Sequence, residues 1–239
     1  MEVSIISIEP YTNPQTLVSM DSLQAHFPHL DSHQCAQLKI FVEEIKDWNQ
    51  KINVISRKET DKITEHHLLP SLALASVTPF TSGETVLDVG SGGGFPGIPL
   101  AICFPETQFT LVDSIGKKIK VIEAIAEKLE LTNIQLLNAR VEDIKETFNY
   151  VTGRAVAALP RFLEWVQPRL RKPKKNLKHG VYYLKGGPLE PELDALKLSP
   201  QECYPLSKIL DGSFYEDKYV AYFATSDIHP VFCKKPRKR

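Results

Sequence analysis

Net charge is the first thing missing: 29 Lys and Arg stand against 29 Asp and Glu, so the 239-residue chain is formally neutral at pH 7. The balance excludes a uniformly basic nucleic-acid binder but not one with clustered cations, because phosphate binding depends on where Lys and Arg stand. Cysteine is scarce, with Cys35, Cys103, Cys203 and Cys233 far apart and no CxxC pair. That spacing offers neither a zinc site nor a disulfide framework, and predicts reduced thiols in a cytoplasmic protein. Long hydrophobic runs are absent too. Stretches such as residues 98–104 fall far short of the roughly 20 residues of a membrane helix. The opening MEVSIISIEP carries Glu2 and Glu9 and lacks the basic head and long apolar stretch of a signal peptide. Neither low complexity nor a repeat of about 20 to 50 residues is visible. What is present is a globular composition, 42% apolar and 24% charged. It suits one large domain or one domain with a small appendage.

Residues 1–80 read as a helical region. Asp31 and Gln34 have capping-box spacing, and Leu38, Phe41, Val42, Ile45 and Trp48 then share one helix face. Further helices are expected over 17–26 and 61–69, with Pro70 in the first turn of a following helix and residues 52–56 as an extended link. From Thr85 the pattern changes to short apolar runs alternating with helical stretches, which predicts a parallel sheet covered by helices. A boundary near residues 81–83 therefore opens a second unit, 81–228, followed by a basic tail, 229–239. Strands are expected at 85–89, 109–112, 134–137, 150–152 and 181–184. Two later runs, 204–210 and 219–224, flank the turn signal Asp211-Gly212-Ser213 and add an antiparallel pair. The clearest helix carries Ile119, Ile122, Ile125, Ala126 and Leu129 on one side. The fold class is α/β, Rossmann-like, with a seven-stranded mostly parallel sheet.

The first of these strands runs into a glycine-rich turn, TVLDVGSGGGFPG. Glycines at 90, 92, 94 and 97 allow a small polar ligand to approach the backbone, and in doubly wound sheets ligands bind beyond the carboxyl ends of strands. Two cofactor classes compete. Gly92, Gly94 and Gly97 match GxGxxG, a weak indicator of a dinucleotide. Asp88, two residues before Gly90, gives the D-x-G-x-G-x-G order of class I methyltransferases and favours S-adenosylmethionine. Asp113 ends the second strand, where a carboxylate can hold ribose hydroxyls in either class. Val141 and Glu142 follow the third strand, where an adenine would be held. A carboxylate in Asp113's place could instead cap the next helix, and a glycine run could be a tight turn.

The segments VLDVGSGGGFPGIPLAI, FTLVDSIGKK, NARVED and GRAVAAL, together with WNQKINVIS, occur in an order and spacing that resemble the RsmG (GidB) family, ribosomal RNA small subunit methyltransferase G. The resemblance spans residues 38–224. It implies a class I S-adenosylmethionine-dependent methyltransferase fold with an N-terminal helical part, and methyl transfer to N7 of guanine 527 (rRNA numbering) in 16S rRNA, within the small ribosomal subunit. By motif it places cofactor contacts on Gly90, Phe95, Val141, Glu142 and Arg154, with Asp113 at the ribose; Gly92, in the same glycine loop, is a further cofactor-binding candidate. The chain departs from the family pattern at Asn149, where Asp is common, at Pro70, where a polar residue is usual, and in a longer, more basic 172–179 stretch.

Guanine N7 has a free lone pair, so this chemistry needs alignment and no general base; no catalytic residue and no metal ligand set is assigned. Arg154 and Lys185 are candidates for shaping the substrate side. His66 and His67 read as structural or substrate-side residues. RNA contact is expected from Lys174 and Lys175, in a run that also holds Arg169, Arg171, Lys172 and Lys178, and from the tail cations Lys234, Lys235, Arg237, Lys238 and Arg239. Charge runs can equally be solvated linkers. The alternatives are a methyltransferase of the same fold acting on another RNA or a small molecule, and a catalytically idle RNA-binding assembly protein.

Overall fold

The computed structural model describes residues 23–172 and 178–232, apart from the side chains of Glu190 and Ala195. The chain opens with α1 (Leu23–His26) and α2 (Ser32–Lys51). Of the helix expected over 17–26, the part before residue 23 lies outside the described residues. The capping box forms: Gln34 N donates to Asp31 Oδ1 at 2.7 Å and Asp31 N donates to Gln34 Oε1 at 3.0 Å. Leu38, Phe41, Val42 and Ile45 are buried, and Trp48 packs half-buried beside them.

The helix expected over 61–69 does not form as one α-helix. A 3-10 turn, Arg57–Lys62, leads into a π-helical turn, Thr64–Leu68, and then α3 (Leu69–Val77). Pro70 supplies the reason. It has no N–H to give the His66 carbonyl, so the four-residue ladder cannot pass, and Leu69 N donates to Thr64 O across a wider turn.

The remainder is β1 (Thr85–Val89), α4 (Gly97–Cys103), β2 (Gln108–Asp113), α5 (Gly116–Lys128), β3 (Ile134–Asn138), β4 (Tyr150–Arg154), α6 (Leu159–Val166), β5 (Gly180–Gly186), α7 (Glu190–Leu193), β6 (Glu202–Pro205), β7 (Lys218–Ala224) and α8 (Thr225–Phe232). These seven strands form one sheet in the order β3-β2-β1-β4-β5-β7-β6, in which β7 runs antiparallel to both of its neighbours. The central strands are buried on both faces, hence their near-continuous apolar sequences. One face packs against α1 to α5 through Phe41, Ile45, Leu72, Ile98 and Ile122; the other packs against α6, α7 and α8 through Leu163, Leu193 and Ile228. No described helix is long and apolar enough to cross a membrane.

Two further sequence expectations differ from the structure. The strand expected over 204–210 ends at Pro205, which has no further N–H for the ladder; Leu206 and Leu210 then enter the core from a 3-10 turn, Leu206–Lys208. Second, α8 runs to Phe232, so the stretch assigned to a tail from residue 229 begins inside a helix, and residues 233–239 lie outside the described residues.

Candidate cofactor and acceptor site

The glycine loop leaves β1 at the carboxyl end of the sheet and is tied on several sides. Gly90 N donates to Val112 O at 2.8 Å, which clips the loop to β2. Asp113, at the end of β2, accepts from Gly92 N at 3.0 Å on one oxygen and from Ile115 N at 2.9 Å on the other. Asp88 is fully buried; it accepts from Gly97 N at 3.2 Å and from Thr152 Oγ1 at 3.1 Å, so it joins the far end of the loop to β4. Two glycines are demanded by space. A Cβ on Gly90, whose φ is +69°, would lie 2.8 Å from Val156 Cγ2, and one on Gly97 would lie 2.7 Å from Asp88 Oδ2.

The N-terminal helices brace this loop from behind. Asn49, buried near the end of α2, accepts from Val54 N at 3.0 Å and Ile55 N at 3.1 Å, and its Nδ2 donates to Thr60 Oγ1 at 2.8 Å. The turn so folded sets Ile55 Cγ2 at 3.3 Å from where a Cβ on Gly93 would stand. This is a physical role for the WNQKINVIS segment, which composition alone does not suggest.

A pocket of about 330 Å³ opens beside the loop, lined by Gly90, Asp113, Val141 and Glu142 together with Ser114, Lys118, Arg140, Val156 and Trp165. Its volume is within the roughly 300–1,000 Å³ usual for small-molecule sites. Four of the sequence-expected cofactor residues therefore converge. The other three do not line it. Gly92 acts through its bond to Asp113. Phe95 is only 1% exposed and packs on Phe41, with ring centroids 4.8 Å apart. Arg154 lies half-buried with its guanidinium 5.1 Å from the Phe95 ring centroid. Burial lowers Arg154 to about 10, while Asp88 and Glu59 hold it up, so it stays cationic at neutral pH.

Arg154 lines a second pocket of about 270 Å³, with Lys185, Lys218, His66, Pro70, Tyr183, Leu206 and Phe214 among its walls. The two pockets meet at Ala155, which lines both and has φ +50°, a left-handed conformation that non-glycine residues adopt only under constraint. Lys185 is held by an ion pair with Glu192 Oε1, whose other oxygen accepts from Leu159 N at 2.7 Å. His66 Nδ1 lies 2.5 Å from Glu59 Oε2, and its ring is stacked on Phe214. His67 turns away from the pocket toward Phe95; burial and the Arg154 charge push it down to about 3, so it is neutral.

Trp165, Val156 and Phe214 were not singled out as site residues from the sequence. Trp165 sits on α6, Val156 lies within the GRAVAAL segment in the connection from β4 to α6, and Phe214 lies in the connection between β6 and β7. Lys174 and Lys175 lie outside the described residues. Their flanks are at the other end of the sheet: Gly180 pairs with Tyr150 at the start of β4, one strand length (about 17 Å) from the glycine loop. Three cations of that run bond within the chain. Arg169 donates to Val141 O at 3.1 Å and to Glu142 O, Arg171 to Thr147 O at 3.0 Å, and Lys178 pairs with Glu202 at 2.8 Å.

Comparison with known proteins fits this architecture. The sheet resembles an S-adenosylmethionine-dependent methyltransferase from Aquifex aeolicus (TM-score 0.50, 17% identity, 70% of this chain and 97% of that one) and a ribosomal protein L11 methylase from Lactobacillus delbrueckii (TM-score 0.50, 15% identity, 65% and 76%). At such identities the likeness concerns the fold. In sequence, proteins named ribosomal RNA small subunit methyltransferase G are 45% identical in Flavobacterium psychrophilum (85% of this chain, 97% of that protein) and 42% identical in Bacteroides fragilis (85% and 98%). The family model described as GidB, rRNA small subunit methyltransferase G, matches residues 34–208, and the chain belongs to that family.

Proposed function

We propose that this chain transfers a methyl group from S-adenosylmethionine to N7 of a guanine in 16S rRNA, the guanine at 527 (rRNA numbering), in the context of the small ribosomal subunit. The observation that carries the reading is the pair of pockets meeting at the strained Ala155, one beside a glycine loop and one lined by cations. The residues present fit the cofactor. Asp113 and Glu142 offer carboxylates to a ribose, Gly90 leaves room for a ligand against the backbone, and Ile115, 49% exposed, is an apolar surface beside Ser114 for an adenine to cover. When bound, S-adenosylmethionine supplies an electrophilic methyl group on a cationic sulfur.

The protein's own work is alignment. N7 has a lone pair and loses no proton, so no lining residue has to act as a base. Next to N7 a guanine presents O6, an acceptor, where an adenine presents an amino donor. Arg154, Lys185 and Lys218 bring donors to the acceptor pocket and no described carboxylate lines it, which favours guanine. Glu192 fixes Lys185 by pairing with it while accepting from the start of α6. The test is incubation with tritiated S-adenosylmethionine and unmethylated 30S subunits, then mapping. Label at guanine N7 of 16S rRNA is expected; label on another atom or another RNA refutes the substrate assignment.

A further inference from the structure

The acceptor pocket contains a three-layer stack of side chains. The His66 ring lies on Phe214 with centroids 3.6 Å apart and planes 6° from parallel. The Lys218 ammonium lies 3.9 Å from the same centroid. Two groups at those distances cannot share one face of a benzene ring without overlapping, so His66 covers one face and Lys218 the other.

The two layers are held very differently. On the first side, His66 Nδ1 is 2.5 Å from Glu59 Oε2, and Tyr215 OH donates to Glu65 O at 2.8 Å, which pins the Ser213–Tyr215 turn to the π-helical turn. That face is built shut. On the second side, Lys218 Nζ donates to the Phe214 carbonyl at 2.5 Å and to Asp217 Oδ1 at 2.8 Å, and the Asp217 side chain is 64% exposed. Lys218 is itself half-buried, with its side chain 26% exposed, but its carboxylate partner stands in solvent, where an ion pair contributes little, and the long lysine stem can carry the ammonium to another acceptor. The face under Lys218 is therefore the one that a flat ring can take.

We propose that Phe214 is the stacking platform for the acceptor purine, exposed when Lys218 leaves the ring face that it now covers. This rests on the reading of the second pocket as the acceptor pocket. Stacking on an aromatic ring tolerates any base and gives a flipped-out nucleotide the surface it lost on leaving its own stack. The displaced ammonium remains on the pocket wall, where it can donate to O6 or to a phosphate. After transfer the base carries a positive charge. That charge is repelled by the Lys218, Lys185 and Arg154 cations around the pocket, which opposes retention of the product.

The test compares wild type with Phe214→Leu and Phe214→Tyr, using 30S subunits as substrate and calorimetry with S-adenosylhomocysteine as the control for folding and cofactor binding. Loss of one base–aromatic stack corresponds to roughly a 5- to 150-fold fall in kcat/KM for Phe214→Leu. Phe214→Tyr should stay within about threefold of wild type, and both variants should bind S-adenosylhomocysteine as wild type does. Phe214→Leu within threefold of wild type, with cofactor binding intact, overturns the platform. If wild type methylates no RNA, the functional reading has failed, and the platform is then judged by NMR titration with GMP, AMP and UMP. Purine-selective line broadening that disappears in Phe214→Leu keeps it; broadening that is absent or unaffected by the substitution removes it.

Discussion

Asp88 has no exposed surface, yet its carboxylate accepts from Gly97 N and Thr152 Oγ1. Burial raises it from 3.8 to about 6, against the opposing effect of those hydrogen bonds and of Arg154. Between about pH 4 and pH 6 the folded state retains a proton that the unfolded chain has lost, so this group's contribution to stability falls as pH rises through that window and is flat above it. A shift of that size corresponds to about 3 kcal/mol. Urea unfolding of wild type and Asp88→Asn from pH 4.5 to 7.5 should show their difference changing below pH 6 and constant above; a parallel pair of curves would exclude the assignment. Asp88 thus favours the methyltransferase reading of the sequence through its grip on the loop, not by facing the ligand. Gly90 is where the ligand side is unforgiving. In Gly90→Ala, the added methyl sits at 2.8 Å from Val156 on a backbone with φ +69°, at the pocket wall. A fall in S-adenosylhomocysteine affinity of about tenfold or more, with α-helical content unchanged, is expected by calorimetry and circular dichroism. Gly92 has no atom nearer than 3.7 Å to its would-be Cβ, so exclusion by volume is weaker there.

At the scale of elements, the departure at Asn149 acquires a reason. Its Oδ1 accepts from Thr85 N and Thr85 Oγ1, both at 2.9 Å, which orients Nδ2 as the donor to His179 Nε2 at 3.0 Å. The amide thereby joins the starts of β1, β4 and β5 around a histidine that burial keeps below its usual range and that lies 3.7 Å from Glu84. Aspartate has no N–H to give. In Asn149→Asp, a second carboxylate would face His179 and raise its pKa relative to wild type, so the stability that this adds relative to wild type would be present at low pH and lost as pH rises through the variant's folded value. Thermal unfolding at pH 5.5 and pH 8 should show a midpoint that drops more with pH in the variant than in wild type. The same element scale explains what the sequence could disclose. Every central strand was legible because burial on both faces leaves unbroken apolar runs, and α2 and α5 because one face alternates at helical spacing. The π-helical turn and the end of β6 were not, because each is decided by one missing N–H, at Pro70 and Pro205, acting against an otherwise continuous pattern. The cofactor pocket was readable where strands end in fixed motifs. Of the second pocket, Arg154, Lys185 and His66 were singled out from the sequence as candidates, whereas Leu206, Phe214 and Lys218 were not, since they stand on segments that only the fold brings beside the others.

For the whole molecule, the zero sum of charge conceals where cations stand. Of the run from Arg169 to Lys178, three cations are occupied: Arg171 by Thr147 O and Lys178 by Glu202, toward the starts of the strands, and Arg169 by the carbonyls of Val141 and Glu142, beside the pocket at the glycine loop. At the loop end, Lys118 and Arg140 line the pocket beside the glycine loop, Lys185 and Lys218 line the second pocket, and Arg161 stands exposed near Trp165. Scattered in sequence, these form no run that composition could reveal. Whether the basic runs add phosphate contacts is a matter for measurement, and the tail offers the cleaner one. Val231 and Phe232 pack against the core, so a truncation should begin at residue 233. Removing residues 233–239 takes away five cations, each worth up to roughly 0.9 in the slope of log affinity against log salt when it contacts duplex phosphate. Filter binding to 30S subunits between about 50 and 200 mM salt should therefore show a shallower slope and weaker binding at low salt. Because phosphate contacts position RNA without entering the transfer step, kcat at saturating subunits and affinity for S-adenosylhomocysteine should both match the full chain. A slope equal to that of the full chain would mean that the tail touches no phosphate, and the grip on RNA would rest with the cations around the pockets.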